Sequence, residues 1–178
     1  MKNEVYELNF EEKEYCIIAI DIEHFKLYNR WWGKKAGEIF LSEIAVRLKY
    51  YEKIYGGIAS YIGGDDFAIM LPMDMKVIQL LERDLKKISS RKTKNVGFLP
   101  ALGVYKIPKD AKEATGMYDL AMEAQKHVIG NFDNRICFYD ESMTEAIEKE
   151  LSILNESKIA LERRQFYLAV QPKCRITT

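Results

Sequence analysis

Two short apolar runs, Ile58 to Ile62 and Phe67 to Leu71, are separated by Gly63-Gly64-Asp65-Asp66. Runs of this length on either side of a glycine pair read as the arms of an antiparallel hairpin. Gly-Gly at the tip lets the backbone take positive φ and lets another group approach the main chain closely. Pro72 closes the second arm. The two carboxylates after the glycines are placed to hold a divalent cation on the rim of a sheet. They are equally at home as solvated turn residues, because Gly and Asp are common turn formers. The rest of the chain decides between these readings.

Tyr15 to Ile20 is a continuous apolar run, the pattern of a central strand buried on both faces. It ends at Asp21, and a carboxylate at the carboxyl end of a buried strand is a natural ligand position. Between Lys35 and Leu48, Ile39, Leu41, Ile44, Ala45 and Leu48 recur at helical spacing, and Gly56-Gly57 breaks the chain before the hairpin. A second helix is predicted over 75–88, striped by Val77, Leu80, Leu81, Leu85 and Ile88, with Lys86 and Lys87 near its end. There follow a strand over 98–107, a helix over 113–129 and a strand over 135–139. A long amphipathic helix then carries Ile147, Leu151, Leu154 and Leu161, and a further strand starts over 166–172. A hairpin mixed with crossover helices argues for an α+β fold, a central mixed sheet flanked by helices. If the first strand and the hairpin are sheet neighbours, Asp21, Asp65 and Asp66 meet on one rim. Hard oxygen ligands of this kind suit Mg²⁺, which binds through one or two carboxylates plus substrate phosphates. The implied chemistry is nucleotidyl or phosphoryl transfer. Lys26, on the segment after Asp21, is in reach of a phosphate as a point charge.

Composition excludes more than it assigns. The chain has 178 residues, 48% of them apolar, enough for one domain or one domain with a fragment of the next. Basic and acidic residues balance at 27 each, so no bulk field recruits nucleic acid or membrane. No apolar run approaches the length of a membrane span. Cys16, Cys137 and Cys174 lack CxxC spacing; Cys16 and Cys137 sit inside apolar strand-like runs and read as buried free thiols, which suits a cytoplasmic protein. His24 and His127 lack the spacing of zinc ligands. Trp31-Trp32 is expected to pack against the next helix rather than to form a stacking platform. Lys34-Lys35 and Lys86-Lys87 read as solvated helix-end charges.

Four blocks in order carry a resemblance: Asp21-Ile22-Glu23-His24-Phe25-Lys26 with Asn29-Arg30, then Gly33-Lys34, Gly37-Glu38, and Gly63-Gly64-Asp65-Asp66-Phe67. On these residues the chain resembles, from about residue 14 to residue 140, the GGDEF family of bacterial diguanylate cyclases. These join two GTP molecules into cyclic di-GMP. The resemblance implies a fold similar to nucleotide cyclase and polymerase palm domains, with GTP as substrate and a homodimer for catalysis. By resemblance, Asp21, Asp65 and the Ile22 carbonyl hold Mg²⁺ (or Mn²⁺). Asp66 stands where the family has Glu, a residue of metal binding and catalysis; the charge survives but the reach is one methylene shorter. Asn29 and Glu38 match the guanine-reading pair, Phe25 and Lys26 match directly with Lys26 on phosphate, and the Gly63 and Gly64 amides approach the triphosphate.

The chain also departs from that pattern. Ile129 and Asp133 stand where the family places a Lys and an Arg on the phosphates, with Lys126 and His127 nearby. Arg30 replaces an Asp, and Tyr61 replaces an Arg. Ile54 to Gly57 lacks both charges of the family's Arg-x-x-Asp product site, so feedback there is not expected. Phe138 to Met143, a helix, and Phe166 to Lys173 resemble the junction of a GGDEF domain with an EAL phosphodiesterase domain. The expected division is a lead-in (1–13), a GGDEF domain (14–140), a linker helix (141–165) and the first strand of an EAL domain (166–178). Two main readings follow: a diguanylate cyclase, or a degenerate GTP-binding domain that regulates an attached EAL domain. A purely structural dimerisation module is the third.

Overall fold

Tyr15–Ile22 has no polar alternation to offer solvent, and it becomes the middle of the sheet. A computed structural model describes residues 13–93, 97–111 and 116–169. The elements are β1 (Tyr15–Ile22), α1 (Phe25–Trp32), α2 (Lys34–Tyr55), β2 (Ile58–Gly63), β3 (Asp66–Pro72), α3 (Met75–Thr93), β4 (Pro100–Lys106), α4 (Met117–Lys126), β5 (Ile136–Phe138) and α5 (Glu141–Glu162). The chain divides into two units, residues 1–140 and 141–178.

The sheet order is β2-β3-β1-β4-β5. β1 runs antiparallel to β3, from Tyr15 opposite Pro72 to Ile20 opposite Phe67, and antiparallel to β4, from Cys16 opposite Lys106 to Ile22 opposite Pro100. β5 lies parallel to β4, with Leu102 opposite Ile136. A parallel pair needs a crossover, which α4 supplies. The sheet is therefore mixed, as expected, and the fold is α+β.

Alternation along β1 sends its side chains to two faces. Cys16, Ile18, Ile20 and Ile22 join the main core with Phe40, Ile44 and Leu48 of α2 and Leu81 and Leu85 of α3. Tyr15 and Ile17 lie on the other face with Ile107 and Met117. α4 packs on that face through Ala121 and Ala124, both fully buried. It sits so close to β4 that a Cβ on Gly103 would lie 1.9 Å from the Ala121 carbonyl oxygen and 2.3 Å from the Gln125 nitrogen.

The structure differs from the sequence reading in several places. α1 was not expected, because eight residues with the strand-end motif at their start are too few to show a helical period. α2 continues to Tyr55, and its buried face is Phe40, Ile44, Leu48 and Tyr51; Ile39 is 49% exposed and outside the core. α3 continues to Thr93, so Lys86 and Lys87 lie within it, paired with Glu82 at 2.5 Å and Asp84 at 4.0 Å. Phe166 to Ala169 forms no strand, and residues 170–172 of that expected strand lie outside the described residues. So does the expected lead-in up to residue 12. α5 buries no side chain, leaving Ile147, Leu151, Leu154 and Leu161 exposed. Among the described residues no helix is long and apolar enough to cross a membrane. Cys16 is fully buried, its thiol donating to the Leu71 carbonyl at 3.7 Å, and burial pushes it up to about 12. Cys137 is half-buried, and Cys174 lies outside the described residues.

The close approach of α4 to β4 makes a specific prediction. Gly103→Ala collides with backbone atoms that no side-chain rotation relieves, and is expected to cost about 3 kcal/mol in a urea melt, at the upper end for an overpacked core. A loss below about 0.5 kcal/mol would mean that α4 does not sit this close.

Candidate functional site

The register of the sheet brings the predicted carboxylates together. Ile20 is opposite Phe67, so Asp21 and the turn carrying Asp65 and Asp66 lie on one rim. Gly63 and Gly64 take φ of 144° and 62°, values open to glycine, and the β2–β3 ladder shifts register between Tyr61 and Gly63. The Tyr61 hydroxyl pins the turn by donating to the Gly64 carbonyl at 3.0 Å, and its ring packs on Phe67 at 5.2 Å. Tyr61 thus gives the tip a fixed shape.

Asp21 and Asp65 lie close enough that a proton on Asp21 can be shared with the Asp65 carboxylate, which favours the protonated form of Asp21. Burial pushes Asp21 up to about 7, and the negative charges of Asp65, Asp66 and Glu23 add to the shift. Asp66 is also raised, by burial and then by Asp65. Tyr118, near the start of α4, responds to the same charges: burial first, then Asp66, Asp119 and Asp21, push its hydroxyl up to about 12. Crowding of carboxylates in this way favours binding of a cation between them.

Immediately behind them lies a buried ion pair. Glu23 Oε2 meets Arg135 Nη2 at 3.2 Å, both side chains almost wholly buried. The second Glu23 oxygen accepts from the Gly130 N–H at 2.5 Å. Arg135 donates through Nε to Pro100 O at 2.9 Å, through Nη1 to Val128 O and Asn131 O, both at 2.8 Å, and through Nη2 to Leu99 O at 3.3 Å. The Glu23 N–H also donates to Leu99 O, at 3.1 Å. Together these bonds tie the β1–α1 turn to the approach of β4 and to the segment joining α4 to β5. The Ile22 carbonyl is thereby held between Asp21 and Glu23.

Alongside the rim opens a cleft of about 530 Å³, lined by Asp21, Ile22, His24, Lys26, Arg30 and Asp65, with Phe25 and Leu27. That is within the range of small-molecule clefts, about 300–1,000 Å³. Phe25 is mainly a core residue, stacked on Tyr28 at 5.9 Å. Asn29 turns toward α2: a Cβ on Gly37 would lie 1.9 Å from Asn29 Oδ1, so only glycine leaves room for the amide. This oxygen is buried without a hydrogen-bond partner, and a buried orphan acceptor is suited to a ligand donor. Glu38, next to Gly37, is exposed. Trp31 and Trp32 set their rings edge-on to Phe98 at 5.7 and 5.6 Å while staying partly exposed. Ile129 and Asp133 are exposed, and Lys126 pairs with Glu123 at 2.8 Å.

No three His, Cys, Asp or Glu side chains among the described residues form a ready-made metal cage. Two carboxylates and a carbonyl at an open cleft are instead the donor set of an ion that keeps positions for substrate phosphate and water. Asp21, Asp65 and Ile22 fit a hard divalent cation on that basis.

Comparison with known proteins agrees with fold and motif. The family described as "Diguanylate cyclase, GGDEF domain" matches residues 1–131. The chain belongs to the GGDEF family, homologous to the diguanylate cyclases of cyclic di-GMP signalling, a family that generally uses a divalent metal. It is 28% identical over 170 residues to the bifunctional diguanylate cyclase/cyclic di-GMP phosphodiesterase MucR of Pseudomonas aeruginosa, covering 92% of this chain and 24% of MucR. It is 21% identical to the biofilm architecture maintenance protein MbaA of Vibrio cholerae, covering 92% and 22%. The chain thus spans about a quarter of the length of these curated relatives. In fold it is similar to the active GGEEF domain of a Vibrio cholerae diguanylate cyclase, with a TM-score of 0.59 and 21% identity over 72% of this chain and 84% of that one.

Sequence reasoning had no role for Glu23, Arg135, Tyr61 or Tyr118. Two signals were available: Glu23 fills a motif position, and Arg135 is a charge at the head of the apolar run Ile136-Cys137-Phe138.

The raised Asp21 sets a pH dependence. Its ordinary value is 3.8, against about 7 in the fold. Between those values the folded chain keeps a proton that the unfolded chain has released, so the contribution of Asp21 to stability falls as pH rises and levels off above the upper value. In cation-free buffer Asp21→Asn is expected to melt above wild type. Its advantage should grow between about pH 4 and about pH 7 and stay flat beyond. Added Mg²⁺ should narrow the gap by stabilising the wild type alone. The same gap at pH 5 and pH 8 would show that Asp21 is not crowded by its neighbours.

Proposed function

We propose that this domain condenses two GTP molecules into cyclic di-GMP, releasing two pyrophosphates, with Mg²⁺ or Mn²⁺ and as a homodimer. The observation that carries the reading is the crowded Asp21–Asp65 pair on the wall of a cleft whose neighbouring helix bears the unpartnered Asn29 oxygen. Asn29 and Glu38 would read the guanine, the Asn29 oxygen and the carboxylate accepting from its N–H groups. Lys26 and the Gly63 and Gly64 amides would hold the triphosphate. Asp21, Asp65 and the Ile22 carbonyl would ligate the metal, which when bound neutralises the triphosphate and polarises the attacked phosphorus. Asp65 or Asp66 would help remove the proton from the attacking 3′-hydroxyl, and the upward shift of Asp66 suits a base. Each chain would hold one GTP, and each 3′-hydroxyl would attack the partner's α-phosphate in line. Pairing two loaded chains makes the encounter effectively intramolecular. We further propose that the domain works in the cytoplasm, attached in the full-length protein to an EAL domain.

One observation favours a second reading, a GTP-binding domain that regulates the attached EAL domain without catalysis. Ile129 and Asp133 bring no cation to the phosphates, and Lys126 is engaged by Glu123. Fewer fixed cations weaken stabilisation of the charge that develops in the transition state.

Mass spectrometry of the product, after concentrated and demonstrably dimeric protein has met GTP and Mg²⁺, separates the two. Cyclic di-GMP that drops at least about a hundredfold in Asp65→Asn establishes the cyclase. GTP binding without product from the dimer establishes the regulatory domain.

A further inference from the structure

We propose that Arg30 acts with Lys26 as a two-cation clamp for the polyphosphate tail of the bound nucleotide. The inference rests on the reading of the cleft as a nucleotide site and adds a residue that the family motif does not supply.

Lys26 and Arg30 are four residues apart on α1, one turn, and both line the cleft that holds Asp21, Ile22 and Asp65. Two like charges at this spacing destabilise a helix unless something negative lies between them. Elsewhere the chain pairs many of its cations: Arg47 with Asp84, Lys49 with Glu52, Lys92 with Glu43, Lys106 with Glu14. Among the described residues neither Lys26 nor Arg30 has a carboxylate within ion-pair distance, and both are exposed. The cleft thus presents two unpaired cations beside its metal-ligand carboxylates. A triphosphate adds negative charge to a cleft that already holds Asp21 and Asp65, and one divalent ion leaves that sum negative. Further cations are therefore needed on its wall, and α1 provides them.

The exchange of charges along the sequence points the same way. Where the resemblance expects phosphate cations, the chain has Ile129 and Asp133; where it expects an acidic residue after Asn29, the chain has Arg30. The two changes have opposite sign, as they would if one phosphate cation had moved from the segment after α4 to α1. A guanidinium suits this place, because its planar fork grips two phosphate oxygens at once. Arg30 also sits in the last turn of α1, where any cation favours the helix dipole. That lesser role is indifferent to phosphate.

Calorimetric titration of the whole chain with inorganic tripolyphosphate plus Mg²⁺, with guanosine, and with GTP tests the clamp. Arg30→Ala is expected to weaken tripolyphosphate binding about tenfold, one charge-assisted contact, and Arg30→Asp further. Arg30→Lys should lose less, guanosine should bind unchanged, and the loss should shrink in added salt. Tripolyphosphate bound equally by wild type and Arg30→Ala, or guanosine weakened in parallel with it, overturns the clamp. Wild type that binds tripolyphosphate in an Arg30-dependent way but not GTP keeps the clamp and refutes the GTP reading. Wild type that binds GTP with no dependence on Arg30 refutes the clamp alone, and binding of neither refutes both.

Discussion

The candidate site depends on one buried ion pair, Glu23 with Arg135. The guanidinium spends every donor it has: one on Glu23 and the others on the carbonyls of Leu99, Pro100, Val128 and Asn131. Burying two charges is costly unless both are fully hydrogen-bonded, and removing one partner of such a pair typically costs about 3–5 kcal/mol. That is a large share of the roughly 5–15 kcal/mol holding a domain together. Its work here is positional. Three stretches far apart in sequence meet at one guanidinium: the end of β1, the approach to β4 and the segment joining α4 to β5.

On this frame the sheet sets out carboxylates that repel one another. Antiparallel pairing of β1 with β3 brings Asp21 to the glycine turn 42 residues later, and Tyr61 fixes the shape of that turn. Asp21 is half-buried beside like charges and holds its proton up to about pH 7. Folding energy has been given up locally, which is the usual mark of a functional site rather than a stabilising one. The relatives of the chain show that the surrounding sequence belongs to cyclic di-GMP signalling. What separates a working cyclase from a binding domain is finer and turns on Asp66 and on the cations that line the cleft.

Much of this was legible in the sequence, and the limits are physical. β1, the hairpin and α3 show in their apolar periodicity, and Asp21 and Asp65 follow from strand end and turn. α1 is too short to show a period. The burial of Phe40 rather than Ile39 follows from how α2 is rotated against the sheet, which spacing alone leaves open. The strand expected over 166–172 failed over its described part, because an apolar run supplies strand propensity but not the neighbouring strand it must pair with. Arg135 was missed for the opposite reason. A charge reads as surface until its partner is known, and Glu23 is 112 residues away.

Electron paramagnetic resonance of Mn²⁺ bound to the chain, with GTP present, tests the central claim most directly. That claim is that Asp21 and Asp65 are crowded in order to hold a divalent cation. The free six-line Mn²⁺ signal should fall as protein is added, and either Asp21→Asn or Asp65→Asn should restore it. Mn²⁺ bound as tightly by both variants as by the wild type would place the metal elsewhere and contradict the account.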